Sequence, residues 1–213
     1  MNQRVRIKFC GITRSEDALA AAECGADAIG LIFAEGSPRQ LDTATAAAIA
    51  AAVPVFVSRV ALFRDASPER VREVIHSVAI ELLQFHGEES PDYCAQFNRP
   101  WLKAVPMGRL ADSYAVRDYL RLHSAAAGFV FDSHGGTSSG GSGRQFDWSR
   151  LAELAPRCLI LAGGLGPENV RAAIEQVRPW AVDVSSGIES APGMKDHAKM
   201  RVFANEVHRA RTD

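Results

Sequence analysis

Cysteine is scarce in this chain and badly placed for its usual structural roles. The four thiols, Cys10, Cys24, Cys94 and Cys158, include no C-x-x-C pair, and no histidine stands at zinc-like spacing from them. Neither a zinc site nor a disulfide framework is expected. No run of about 18 apolar residues occurs, so there is no candidate membrane helix. The opening MNQRVRIKFCGIT lacks the apolar core of a secretory leader, and a cytoplasmic setting with reduced thiols is the expectation. An excess of either charge is missing too: 24 Lys and Arg against 25 Asp and Glu give a formal net charge of −1. That balance supplies no general attraction to nucleic acid or anionic membranes, and neither is expected as a partner. Any anion site has to be local, built from backbone N–H groups or a single arginine.

What the chain does have is a regular alternation. Its 213 residues, 47% hydrophobic, suffice for one domain over 1–213 with a sizeable core. Short apolar segments read as strands at 5–10, 27–33, 55–63, 80–85, 101–105, 128–132, 158–162 and 180–184. Helical stretches separate them, at 15–24, 43–52, 68 to near 76, after 91, 111–122, from near 147, from near 167, and at 195–211. Ser15 is the expected N-cap of the first helix. Ser67–Pro68 and Ser90–Pro91 are cap-then-proline starts. A doubly wound sheet has about five or six strands, so eight βα units point to an α/β fold of (βα)8 TIM-barrel type. The chain is compact for such a barrel, which usually needs about 250 residues.

Strand periodicity then says which side chains face inward. Ile7 and Phe9 face the helices, leaving Lys8 and Cys10 inside. Leu83 and Phe85 face out, with Gln84 and His86 inside. Asp132 follows outward Phe129 and Phe131, and Asp183 lies between outward Val182 and Val184. Cys10, His86, Asp132 and Asp183 thus stand at C-terminal strand ends and converge on the mouth where barrel enzymes do their chemistry. Cys10 and Asp132 are the candidates for proton transfer. His86 is expected to hydrogen-bond beneath the loops, among the substrate-binding residues, and Asp183 to orient the turn after it. Cys24, Cys94 and Cys158 read as packing.

Three glycine-rich segments lie at the same end: Gly163–Gly164, Ser186–Gly187, and the 140–143 stretch containing Gly141. Such turns let backbone N–H groups approach a phosphate, and the loops after strands 7 and 8 are the recurring phosphate site of these barrels. The segment 133–145, with five glycines and four serines, reads as a lid over bound substrate.

Taken in order, KFCGIT (8–13), EDA (16–18), GADAIGLIF (25–33), SPR (37–39), LQFHGEE (83–89), FDS…GGSG…FDW (131–148), LAGGLGPENV (161–170) and DVSSGIES–PG–KD (183–196) resemble the phosphoribosylanthranilate isomerase family of tryptophan biosynthesis. The resemblance implies a TIM barrel without metal or organic cofactor, acting on a small phosphorylated substrate, as a monomer or homodimer. It implies an Amadori rearrangement of N-(5′-phosphoribosyl)anthranilate to 1-(2-carboxyphenylamino)-1-deoxyribulose 5-phosphate. Residue by residue, it puts the general base on Cys10, the general acid on Asp132 and the grip on the anthranilate carboxylate on Arg39. Gly163, Gly164, Ser186 and Gly187 fall in the phosphate turns, and Gly141 in a loop closing near the substrate. The chain departs from the family pattern at AEG before SPR, at VSRVALF in the third strand, and at SGIES.

The chemistry carries a difficulty. A free carboxyl titrates near about 3.9 and a free thiol near about 8.5, so at neutral pH both protons sit on the wrong groups. The site must raise Asp132 or depress Cys10, and inward Lys8 is the candidate for depressing the thiol. Two rival readings are a histidine-pathway aminoaldose isomerase, which would pair two carboxylates, and a non-catalytic phosphate-ligand-binding barrel. The cysteine ending the first strand speaks against the former.

Overall fold

The computed structural model describes residues 4–133, 146–151, 154 and 158–210. Eight parallel strands close into a barrel in chain order: β1 (Arg6–Cys10), β2 (Ala28–Ile32), β3 (Ser58–Phe63), β4 (Leu82–Phe85), β5 (Trp101–Pro106), β6 (Gly128–Asp132), β7 (Leu159–Leu161) and β8 (Ala181–Val184). Pairing of β1 with β8, Lys8 beside Asp183, shuts the ring. The helices are α1 (Ser15–Glu23), α2 (Thr43–Ala52), α3 (Pro68–Ser77), α4 (Pro91–Ala95), α5 (Ser113–Leu122), α6 (Val170–Val177) and α7 (His197–Arg209). The TIM barrel read from the sequence is the fold. No helix among the described residues is long and apolar enough to cross a membrane.

Side-chain alternation builds one core outside the ring and two clusters inside it. Outward residues such as Ile7, Phe9, Leu83, Phe85, Phe131, Val182 and Val184 pack against the helices in one large cluster. Inside the ring, Leu102, Val130, Ile160, Ala162 and Ala181 fill the floor, while Cys10, Ile32, Ala34 and Leu62 form a third cluster. Stacked and tilted rings, Phe33 on Phe63, Phe63 on Phe85 and Phe85 on Phe97, tie the strands β2 to β4 to the helix layer. Outward Lys103 of β5 is fully buried. Its ammonium donates to the Glu89 carboxylate at 2.6 Å and to the Gly87 carbonyl at 2.7 Å. Glu89 also accepts from the backbone N–H groups of Asp65 and Gly87, so the loops after β3 and β4 share one buried ion pair.

Ser67 and Ser90 cap α3 and α4 ahead of their prolines, as their sequences predict, and Asp42, Asp112 and Asp196 cap α2, α5 and α7. Ser15 does not cap α1; it is the first helical residue. Arg14 holds the cap position and pairs with buried Asp17 instead. The third strand starts later than expected because residues 54–57 form a turn, with Phe56 at φ 72°. Where a helix is expected from near 147, Trp148–Leu151 make a 3-10 turn. An antiparallel ribbon that the sequence reading did not contain, β9 (Glu189–Ala191) with β10 (Met194–Lys195), follows β8.

Candidate active site

The C-terminal ends of the strands open onto one cavity. Its lining includes Cys10 from β1, Arg39 from the loop after β2, Gln84 and His86 at the end of β4, Asp132 from β6, Gly163 and Gly164 after β7, and Asp183, Ser185 and Ser186 at the end of β8. Cys10, Arg39, His86, Asp132, Gly163, Gly164 and Ser186, singled out by sequence, therefore meet. Gly187 does not line the cavity. A Cβ there would lie 2.0 Å from the Leu165 carbonyl oxygen, so its lack of a side chain lets the loops after β7 and β8 touch. Gly141 and the 134–145 part of the expected lid lie outside the described residues.

Cys10 sits in a mixed setting. Gly30 of β2 leaves room for its sulfur, since a Cβ at that position would lie 2.7 Å from Sγ and 3.2 Å from Lys8 Nζ. Lys8 donates to Asp183 Oδ2 at 2.8 Å, both side chains being buried. Burial works against the charge on Lys8, but Asp183 and Cys10 outweigh it and hold the ammonium above the usual lysine range. Burial pushes the Cys10 thiol up, and the opposing pull of Lys8 and Lys195 does not cancel it. Lys8 is thus the neighbour the sequence pointed to, but its pull on the thiol is outweighed by burial.

Across the cavity, His86 Nε2 lies 3.3 Å from Asp132 Oδ2, and His86 Nδ1 lies 3.3 Å from Gln84 Nε2. Gly163, at φ 79°, passes so close that a Cβ would stand 2.9 Å from Asp132 Oδ1. Its neighbour Gly164 has φ 68°, a region that favours glycine. Asn169 braces this turn. Its Oδ1 accepts from the Gly166 N–H at 2.9 Å, and its Nδ2 donates to the Gly164 carbonyl at 2.8 Å. Two buried acceptors in the cavity wall, Gln84 Oε1 and Asp183 Oδ1, have no protein partner among the described residues. No group of three or more His, Cys, Asp or Glu suited to a metal ion occurs among those residues.

Arg39 is buried and forked. Its Nε and Nη2 each donate to the Glu189 carboxylate at 2.7 Å. Gly11, at φ 72°, makes room for the arginine stem, because a Cβ there would fall 2.4 Å from Arg39 Cδ. That is a physical reason for glycine after the cysteine in KFCGIT.

A sequence profile of the family described as N-(5′-phosphoribosyl)anthranilate (PRA) isomerase matches residues 7–206. The chain belongs to this isomerase family. The N-(5′-phosphoribosyl)anthranilate isomerase of Xanthomonas euvesicatoria is 51% identical over 210 residues, covering 97% of this chain and 95% of that one. The crystal structure of phosphoribosyl anthranilate isomerase from Thermotoga maritima superposes with a TM-score of 0.87 at 39% identity, over 96% of this chain and 99% of that one. A phosphoribosyl anthranilate isomerase solved with reduced 1-(o-carboxyphenylamino)-1-deoxyribulose 5-phosphate gives 0.83 at 37% identity, over the same shares. The isomerase site here includes residues that sequence reasoning passed over. Arg64 follows outward Phe63 and lines the cavity, so the alternation that flags His86 flags it too. Glu189 and Lys195 carried no local signal, since their roles depend on a ribbon held by residues distant in sequence, Thr13 and Asp17 among them.

Proposed function

We propose that this isomerase converts N-(5′-phosphoribosyl)anthranilate to 1-(2-carboxyphenylamino)-1-deoxyribulose 5-phosphate, with Asp132 as general acid and Cys10 as general base. The observation that carries the reading is a thiol and a carboxyl group on strands β1 and β6 facing one cavity, with an arginine on one side and two glycine-containing turns on the other. Asp132 in its acid form gives a proton to the ribose ring oxygen. The C1′–O bond breaks as the anilino nitrogen forms a C=N bond to C1′. The Cys10 thiolate then takes the proton from C2′, leaving an enolamine. Loss of the enol O–H proton and protonation at C1′ yield the ketone, so the isomerisation balances with no outside reductant or oxidant.

Each remaining part has a task. Backbone N–H groups of Gly163, Gly164 and Ser186 hold the phosphate, the last at the start of the short 3-10 turn Ser186–Ile188. Arg39 grips the anthranilate carboxylate, for which a planar guanidinium is suited. His86 orients the Asp132 carboxyl. Lys8, fixed by Asp183, faces the thiolate when it forms.

The assay follows loss of substrate fluorescence. Cys10→Ala and Asp132→Asn are each expected to lower kcat by about 10² to 10⁴-fold, the range of a positioned proton donor or acceptor, with unchanged melting curves. A folded variant retaining near-full kcat removes that residue from the mechanism, and failure of the wild-type protein to consume this substrate removes the reaction.

A further inference from the structure

The ribbon after β8 lies behind the cavity, where its Glu189 holds the cavity-lining Arg39. Gly193 in its turn, at φ 81°, accepts a hydrogen bond from the Thr13 hydroxyl and lies over Pro38, and the Lys195 N–H donates to Asp17. Lys199 of α7 donates to the Glu189 carbonyl at 2.8 Å. The ribbon is therefore pinned to the start of α1, to the loop carrying Arg39, and to α7. Its two inward side chains are Glu189 and Lys195, both buried. Lys195 Nζ donates to Glu189 Oε1 at 2.8 Å and to the Ser185 carbonyl at 3.0 Å, while the Arg39 fork spans both carboxylate oxygens, Nε sharing Oε1 with Lys195 and Nη2 taking Oε2.

Two consequences follow from the charges and the donor geometry. Arginine has five N–H donors in a rigid plane. With Nε and one Nη2 hydrogen committed to Glu189, a carboxylate in the cavity meets the guanidinium through Nη1 and the remaining Nη2 hydrogen. An isolated arginine–glutamate pair would also be neutral and attract an anion weakly, but Lys195 leaves the trio with one net positive charge. Holding the flexible arginine stem before ligand arrives removes an ordering cost that would otherwise weaken binding.

We propose that Glu189 is a positioning residue for Arg39, fixing the guanidinium edge that receives the anthranilate carboxylate, with Lys195 restoring the positive charge that Glu189 cancels. This rests on the reading that Arg39 grips that carboxylate, and the test separates the two. In the full-length protein, calorimetric Kd for reduced 1-(o-carboxyphenylamino)-1-deoxyribulose 5-phosphate and steady-state KM and kcat are measured for wild type, Glu189→Gln, Arg39→Ala and the double variant. Glu189→Gln is expected to raise Kd and KM about tenfold, the weight of roughly one charge-assisted hydrogen bond, with the loss falling on KM more than on kcat. In the Arg39→Ala background the same change is expected to add nothing further. An equal effect in both backgrounds overturns the proposal, as does an unchanged Kd in Glu189→Gln while Arg39→Ala raises it. An unchanged Kd in Arg39→Ala overturns the carboxylate reading itself and the proposal with it. If Glu189→Gln does not fold, Glu189→Asp keeps both ion pairs but draws the fork back by one methylene. It is expected to raise Kd only when Arg39 is present, and an unchanged Kd overturns the proposal.

Discussion

Cys10 shows how one side chain answers to opposing influences. Burial raises the thiol and the Lys8 ammonium opposes it, so the thiolate population that the proposed mechanism needs grows as pH climbs. Replacing Lys8 by methionine removes the opposing cation and leaves Asp183, which also raises Cys10, without its partner. Both changes act in one direction, and the rising limb of kcat/KM is expected to move to higher pH in Lys8→Met. A pH–rate profile, supported by the pH dependence of alkylation at Cys10, checks this; coincident limbs would remove Lys8 from the account. At this scale the sequence was informative where strand alternation alone decides orientation. That rule puts Lys8, Cys10, Gln84 and His86 on the inside, where the structure has them. It is silent on partners, because Arg39 and Glu189 are 150 positions apart and nothing near either residue announces the other.

Among the elements, the strands and most helix starts could be read because their causes are local: a two-residue period, or a serine followed by proline. The ribbon β9–β10 could not, since residues 189–195 carry no strand pattern of their own and owe their shape to Thr13, Asp17 and α7. Ser15 was misjudged because Arg14 is held by Asp17, so the helix begins one residue earlier than a serine cap at 15 would place it. The glycines of the turns after β7 and β8 were legible as a group but not individually. Gly187 serves the contact between two loops rather than the cavity surface. Gly187→Ala must push the Leu165 carbonyl aside, and about 1–3 kcal/mol of destabilisation is expected from such overpacking, together with a raised KM as the paired turns separate. Thermal melts and substrate titrations measure both; a variant with wild-type stability and KM would show that the loops part freely.

For the molecule as a whole, stability depends on how charges in the dry layer between barrel and helices are matched. Lys103 and Glu89 are both buried there, and breaking such a pair by removing one partner costs about 3–5 kcal/mol. Lys103→Met is expected to lose that much in urea denaturation while leaving the cavity residues in place, and a loss below about 1 kcal/mol would mean that the backbone donors at Asp65 and Gly87 are sufficient company for the carboxylate. Closure of the ring sets a different condition. Lys8 and Asp183, whose bond lies beside Cys10, are 175 positions apart. During synthesis the thiol leaves the ribosome long before the aspartate has been translated. A nascent or clipped polypeptide therefore carries the sulfur without the pocket that would employ it, and turnover in a cell extract counts finished barrels rather than chains begun.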